Sequence, residues 1–193
     1  IVVIGPTAVA DMNTGVDVGG AGLSTGNTIT NFGTTTTGLS GYVNVSGTIN
    51  GILVRNSLGF NVSYNSITSS LGASGVTVGT LNGIQIPAAS TTAGTTSVTS
   101  NITNNTIALT SHVASGAING INLPSGYGTL NTTTNINNNN FTTLNHTIAA
   151  ATGSSIKCTS RAPAAKAASS TAFFSTSVTP LGTQILIFGF LNV

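Results

Sequence analysis

The feature that most constrains this chain is a two-part phrase that occurs three times in the same order. The first part is an Asn-Gly pair followed by Ile. The second part has two Asn four residues apart and closes on an apolar residue. Copies follow one another at intervals of roughly 32 to 40 residues, which is typical of a repeat architecture. The three copies are Asn50-Gly51-Ile52 with 61–67, Asn82-Gly83-Ile84 with 101–107, and Asn119-Gly120-Ile121 with 135–141.

The residues between these phrases favour strands over helices. Helix formers are scarce, there is no Glu, and β-branched residues are interspersed with the turn formers Gly, Asn and Ser. Short strands separated by corner residues suit a solenoid in which each coil stacks on the one before it. We therefore predict an all-β fold of about four coils. The first is a degenerate coil at residues 1–32, and later coils begin near residues 33, 69 and 110.

Stacked coils place equivalent residues of successive repeats above one another. The apolar residues of the two phrases are expected to form two inward columns, while stacked Asn side chains hydrogen-bond from coil to coil. Asn also tolerates the left-handed backbone of tight corners, so the Asn-Gly pairs are assigned to a corner and the strand that follows it. The predicted columns are Ile52, Ile84 and Ile121, and Ile67, Ile107 and Phe141.

The phrases at Asn50-Gly51-Ile52, Asn82-Gly83-Ile84 and 101–107 resemble the right-handed parallel β-helix repeats of large bacterial surface and secreted proteins. They are also similar to repeat regions of cell-surface proteins exported by gliding and related bacteria of the Bacteroidetes type. The resemblance covers roughly residues 1–150. It implies a right-handed parallel β-helix, or β-solenoid. Members of that fold include adhesins, phage tailspikes, polysaccharide lyases and ice-binding proteins, so the fold alone does not give a function.

The sequence pattern changes after residue 156. Segment 157–166 holds three of the four basic residues and the only Cys, and segment 171–193 is more apolar. We therefore predict a β-helix repeat domain at 1–156 and a C-terminal cap or tail at 157–193. A capping segment is the first interpretation, because the end of a solenoid exposes strand edges. A strand that completes a neighbouring subunit, and a tail that is not native sequence, are the alternatives.

Charge excludes some classes of partner. Only 3% of the 193 residues are charged, against roughly 25% in ordinary soluble domains, and the net charge is +2. Nucleic-acid binding needs several Lys and Arg contacts to phosphates, so we expect no nucleic-acid partner. So little charge argues against a crowded cytosol, and we expect an extracellular or cell-surface location. The longest apolar run, 185–191, is too short to span a membrane as a helix.

Neither catalytic nor metal-binding residue types form a cluster in the sequence. Glycoside hydrolysis usually needs paired carboxyl groups, and the only acids, Asp11 and Asp17, lie in the irregular first coil. His112 and His146 are one repeat apart, but a stacked pair would lack third and fourth metal ligands. Cys158 has no His or acid beside it in sequence. We therefore expect no enzyme activity, no cofactor and no metal site.

Threonine runs are the candidate surface-binding residues. We assign them to loops of unequal length. A regular array of Thr methyl and hydroxyl groups is the surface that ice-binding solenoids use, although those proteins usually carry Thr-x-Thr on a strand. The candidates are Thr34, Thr35, Thr36, Thr37, Thr132, Thr133 and Thr134.

Seven N-glycosylation sequons are also present. A chain this rich in Asn and Thr produces them by chance, and two of them, at Asn61 and Asn101, fall in the phrase assigned to a corner. The sequons lie at Asn44, Asn61, Asn101, Asn104, Asn131, Asn140 and Asn145.

These observations favour a passive function. We expect a non-enzymatic structural or adhesive module of a cell-surface or secreted protein, with a filament subunit as a close variant. Its partners would be further copies or neighbouring repeats of a longer chain, and carbohydrate surfaces. Ice binding through a Thr-rich surface is the alternative from a different class. A polysaccharide-degrading enzyme ranks last, because acids are so few.

Overall fold

The structure is a computed structural model. It describes residues 1–7, 11–30, 32, 47–71, 79–87, 94–111, 117–123, 130–146, 155–160, 172–178 and 184–190. Apart from a 3-10 residue at Asp11, the regular elements in these ranges are β-strands, which confirms the all-β prediction.

The strands follow one another in chain order as β1 to β17. They are β1 (Val2–Ile4), β2 (Asn13–Thr14), β3 (Asp17–Gly19), β4 (Thr28–Thr30), β5 (Gly47–Arg55), β6 (Ser57–Leu58), β7 (Asn61–Ser63), β8 (Ser66–Leu71), β9 (Gly79–Gln85), β10 (Gly94–Thr103), β11 (Thr106–Ser111), β12 (Ala117–Leu123), β13 (Leu130–Asn137), β14 (Asn140–His146), β15 (Ser155–Ser160), β16 (Ala172–Val178) and β17 (Gln184–Phe190).

Three sheets are built by the same order of strands in each repeat. Sheet A has the order β1-β5-β9-β12-β15-β16-β17, sheet C has β13-β10-β7-β3, and sheet D has β14-β11-β8-β4. A short sheet B pairs β2 with β6. Every pairing is parallel up to β15. The chain therefore visits sheets A, C and D in that order four times, and β15 begins a fifth visit to sheet A.

The two predicted apolar columns are confirmed by the strand registers. In sheet A, Ile52 pairs with Ile84, which pairs with Ile121. These three side chains are 0–3% exposed. In sheet D, Ile107 lies between Ile67 and Phe141, and the first repeat extends this column. Both columns belong to one buried core, completed from sheet C by Val18, Val62 and Ile102.

The Asn-Gly pairs lie inside strands β5, β9 and β12, so their assignment to a corner is wrong. None of the three glycines has a positive φ. Close packing requires glycine there instead. A Cβ on Gly83 would lie 2.6 Å from the Gly120 carbonyl oxygen and 2.9 Å from Ile107 Cγ2. The sheet D column therefore packs directly against the backbone of sheet A, and only glycine leaves room for it.

Sheets C and D are joined by tight corners that are two-residue links, and a further left-handed residue, Asn56, lies between β5 and β6. The first residue of each link has a left-handed backbone, with φ of 56–58°. Asn adopts this conformation more readily than most residues, and Tyr does so rarely. The second residue is an Asn in every case. The links are Tyr64-Asn65, Asn104-Asn105 and Asn138-Asn139.

The C-terminal strands extend sheet A. β15 pairs in parallel with β12, and β16 and β17 then add in antiparallel order. An antiparallel pair at the end of a parallel sheet is compatible with the predicted capping segment. The predicted boundary at residue 156 falls within β15, which lies in the sheet of the repeats. The division into two domains stays a prediction.

Candidate functional site

The outer face of sheet D carries an ordered array of hydroxyl groups. Along β11, burial alternates residue by residue, so Ile107 and Leu109 point inward and their neighbours point outward. Strand registers align the outward residues of four repeats in two columns. We call this surface the hydroxyl face. Its first column is Thr28, Ser66, Thr106 and Asn140, and its second column is Thr30, Thr68, Ala108 and Thr143.

The spacing of the hydroxyl face follows from sheet geometry. Neighbouring strands are about 4.8 Å apart, and residues two apart on one strand are separated by about 7 Å. Thr28, Thr30, Thr68, Asn140 and Thr143 are exposed. The face therefore presents an array of methyl, hydroxyl and amide groups that is regular over the first two repeats. It is interrupted at Ala108 and by the register shift between β11 and β14, where Asn140 and Thr143 are three residues apart.

Sequence reasoning missed the hydroxyl face, although the signal was there. The phrase Thr28-Ile29-Thr30 recurs as Ser66-Ile67-Thr68 and in part as 106–108, each time directly after an Asn. Apolar-polar alternation within these three residues is what one buried and one exposed face require.

The predicted Thr sites have different outcomes. Thr132, Thr133 and Thr134 lie in β13, where they pair with Val98, Thr99 and Ser100, so their assignment to a loop is wrong. They belong to sheet C and not to the hydroxyl face. The candidates Thr34, Thr35, Thr36 and Thr37 lie outside the described residues.

An amide ladder runs along the outer face of sheet C, and we call it the outer ladder. Asn135 Nδ2 donates to Asn101 Oδ1 at 3.0 Å, and Asn101 Nδ2 donates to Asn61 Oδ1 at 2.7 Å. Asn61 Nδ2 then donates to Asp17 Oδ1 at 2.7 Å. All donors point toward the first repeat, where a carboxylate, which only accepts, ends the series. Asp17 therefore has a structural partner in the described part of the chain.

A second ladder lies in the corners between sheets C and D, and we call it the corner ladder. Asn27 Nδ2 donates to Asn65 Oδ1, and the backbone N and Nδ2 of Asn65 both donate to Asn105 Oδ1 at 2.9 Å. Asn105 repeats this pattern onto Asn139. Its Nδ2 also donates to the Val62 carbonyl oxygen. Asn65 and Asn105 are 0–1% exposed, and these bonds satisfy their buried amides.

A third ladder follows the Asn-Gly pairs, and we call it the sheet A ladder. Asn119 Nδ2 donates to Asn82 Oδ1 at 2.6 Å, and Asn82 Nδ2 donates to Asn50 Oδ1 at 2.8 Å. The Asn–Asn hydrogen bonds predicted between repeats are thus confirmed in all three ladders. Each amide is both donor and acceptor, so a column of Asn can extend over any number of repeats.

The candidate catalytic and metal-binding groups that the structure describes lie on different elements. Asp11 is exposed just before β2, and Asp17 is in β3. His146 pairs with Ser111 across β14 and β11, and His112 lies outside the described residues. Among the described residues, no group of three His, Cys, Asp or Glu could hold a metal ion.

The sequons occupy several kinds of position. Asn61 and Asn101 are on strands within the outer ladder and not at a corner, which corrects their assignment. Asn104 is a corner residue, and Asn140 is exposed on the hydroxyl face. Asn131 and Asn145 lie in β13 and β14, whereas Asn44 is outside the described residues.

Comparison with protein-family models, with curated proteins and with solved structures finds no match to this chain. In the ranges that the structure describes, no helix has the length and hydropathy needed to cross a membrane.

Proposed function

We propose that this chain is a right-handed parallel β-helix that serves as a structural or adhesive module of a cell-surface or secreted protein. The observation that carries the proposal is the continuity of the three amide ladders and two apolar columns through the repeats. Each added repeat finds the same partners on its neighbour, as in solenoid proteins. Such a molecule is a rigid support, and the side chains on its exposed faces determine what it binds.

The exposed faces suit a neutral, hydrogen-bonding partner. The hydroxyl face carries hydroxyl and amide groups without a charged residue in its two columns. Hydroxyl-rich carbohydrate offers matching donors and acceptors on a surface that is also neutral. Because individual hydrogen bonds to exposed groups contribute little, binding would depend on many contacts along the grid. We propose a non-enzymatic role, with carbohydrate surfaces and further copies or repeats as partners.

Adsorption to polysaccharide films tests the adhesive role. A quartz crystal microbalance would compare the chain on neutral and on charged polysaccharide films. We expect binding to neutral films that Thr68→Lys, at the centre of the hydroxyl face, reduces at least about tenfold through lost contacts and a steric clash. Thr99→Lys, on the outer face of sheet C, is the matched control and should bind normally. Binding that both variants lose equally, or that occurs only on charged films, would contradict the proposal.

Ice binding is a second candidate, favoured by one observation. The Thr28-Ile29-Thr30 and Ser66-Ile67-Thr68 phrases put paired hydroxyl residues on adjacent strands in register. Thermal hysteresis that disappears in Thr68→Lys and persists in Thr99→Lys would establish it. Equal freezing behaviour of all three proteins at high concentration would remove this candidate and leave the adhesive role standing.

A filament subunit is the third form of the proposal, supported by the strand edges. In the described part of the chain, β3 and β4 each have a partner on one side only. Unpaired edges are the usual sites for strand addition. Electron microscopy of the purified chain would reveal rods whose length exceeds that of one molecule, and uniform single particles would contradict this form.

A further inference from the structure

The three Asn-Gly pairs have the same local sequence but lie in different surroundings. In an unfolded chain, Asn followed by Gly readily loses its side-chain amide, because glycine leaves the next backbone nitrogen open to the side chain. That nitrogen attacks Cγ, the Cγ–Nδ2 bond breaks, and Nδ2 leaves as ammonia with the proton from the backbone nitrogen. Water then opens the resulting succinimide to aspartate or isoaspartate. Local chemistry alone would make Asn50, Asn82 and Asn119 equally reactive.

We propose that Asn50 is a site of spontaneous deamidation in the folded protein and that Asn82 and Asn119 are protected from it. This inference is independent of the adhesive role, because it depends only on the position of each Asn in the sheet A ladder.

Burial separates the three residues. Asn82 is 0% exposed and Asn119 is 5% exposed, whereas Asn50 is half-buried. The strand of Asn82 has neighbours on both sides, at Asn50 and Asn119, and Asn119 also pairs with Lys157 of β15. The register pairs of β1 with β5 run from Val2–Leu53 to Ile4–Arg55, and the Ile1 amine donates to the Gly51 carbonyl oxygen at 2.7 Å. Because Asn50 is the least buried of the three Asn residues, water reaches it more readily than Asn82 or Asn119.

The three Asn residues also differ in their hydrogen bonds. The Asn82 amide is held by four contacts: its Nδ2 donates to Asn50 Oδ1 and Gln85 Oε1, and its Oδ1 accepts from Asn119 and Asn122. Asn119 Nδ2 donates to Asn82 Oδ1 at 2.6 Å. Within the described residues, Asn50 only accepts, from Asn82 Nδ2. No described residue accepts from its Nδ2, which is the leaving group.

The direction of the donors in the sheet A ladder also decides at which position a carboxylate, the product of deamidation, fits. Donors in the sheet A ladder point toward Asn50, so a carboxylate at position 50 would still accept from Asn82 Nδ2. The outer ladder already ends this way, with Asp17 accepting from Asn61 Nδ2. A carboxylate at position 82 would instead face the Asn50 oxygen with no proton between them. That contact is unfavourable when buried.

Peptide mapping by mass spectrometry tests the site. The 193-residue chain would be incubated folded in mildly alkaline buffer and, in parallel, in denaturant, with deamidation measured at each Asn-Gly pair. In the folded chain we expect Asn50 to react more than about tenfold faster than Asn82 or Asn119, since the inner strands must open first. In denaturant the three rates should be alike. Equal rates in the folded chain, or an Asn50 that reacts only in denaturant, would overturn the proposal.

Thermal unfolding tests whether the folded chain tolerates aspartate, a product of deamidation, at position 50. We expect Asn50→Asp to melt within about 2 °C of the unsubstituted chain, because its carboxylate still accepts from Asn82 Nδ2. Asn82→Asp should melt lower or fail to fold. If Asn82→Asp does not fold, Asn50→Asp still decides the matter, since a large loss in its melting temperature would show that the ladder end rejects a carboxylate.

Discussion

At the residue scale, buried asparagines supply the polar contacts that link one repeat to the next. Asn105 is the most fully connected of them. Its Oδ1 accepts from the backbone and side chain of Asn65, and its backbone N and Nδ2 donate to Asn139. An uncharged amide meets these needs without the desolvation cost that a buried ion would carry.

Replacing Asn105 therefore has a large expected effect. Asn105→Ala leaves the Val62 carbonyl and the Asn65 backbone N–H buried without their partner, at a cost of about 2–4 kcal/mol of unfolding free energy. Urea denaturation followed by circular dichroism measures the loss. Asn140→Ala, at an exposed position, is the control and should cost less than about 0.5 kcal/mol. Similar losses for the two variants would contradict the role given to the corner ladder.

Glycine at position 83 is required by contact and not by backbone conformation. A methyl group there would lie 2.9 Å from Ile107 Cγ2 of sheet D, and 2.6 Å from the Gly120 carbonyl oxygen within sheet A. We expect Gly83→Ala to lose about 1–3 kcal/mol of unfolding free energy, because sheets A and D must move apart. Gly22→Ala is the matched control, since nothing lies within 4 Å of its added Cβ. If Gly83→Ala is as stable as Gly22→Ala, the two sheets are not packed this closely.

At the scale of the element, the two-residue corner is the unit that turns sheet C into sheet D. Its left-handed residue reverses the side-chain alternation, so that the following Asn points inward and the next strand starts with an outward residue. The corner recurs with nearly constant geometry, with φ of 58° at Tyr64, 57° at Asn104 and 56° at Asn138. The first repeat instead links β3 to β4 through residues 20–27.

Substitutions at Asn104 test the left-handed corner. Asn104→Val should cost about 1–2 kcal/mol of unfolding free energy, because a β-branched residue is strained at positive φ. Asn104→Gly should be close to neutral, because glycine adopts this backbone freely. Both variants remove the same side chain and sequon, so a loss common to both would point to the side chain and not to the backbone. Chemical denaturation separates these results.

At the scale of the whole molecule, stability is shared between neighbouring repeats. Every strand of sheets C and D pairs only with the repeat before or after it. Inner strands therefore have two partners, while β3 and β4 have one within the described residues. In solenoid proteins such nearest-neighbour pairing makes the middle the most stable region.

Hydrogen exchange monitored by mass spectrometry tests this distribution. We expect amides of β8, β9 and β11 to exchange more slowly than those of β3 and β4 by about tenfold or more, because opening an inner strand breaks two interfaces. Peptides from the inner and outer repeats of one sample serve as each other's controls. Uniform exchange along the chain would indicate a single cooperative unit that the repeat description does not capture.

Local sequence pattern determines much of this architecture without reference to tertiary contacts. The recurrence of Ile52, Ile84 and Ile121, and of Ile67, Ile107 and Phe141, was sufficient to predict two stacked columns, because residues at one position of a repeat share one environment. The same reasoning predicted Asn–Asn hydrogen bonds between repeats. Strand content followed from the shortage of helix formers.

The identity of the corner and of the exposed face required the tertiary structure. Asn-Gly has the composition of a turn, yet it lies in strands because Ile107 and its equivalents need space against the backbone of sheet A. The residue that actually turns the chain is Tyr64 in one repeat, a type that gives no turn signal in sequence. Which Thr side chains share one surface depends on register between strands some 40 residues apart, and sequence spacing does not fix that register when loops differ in length.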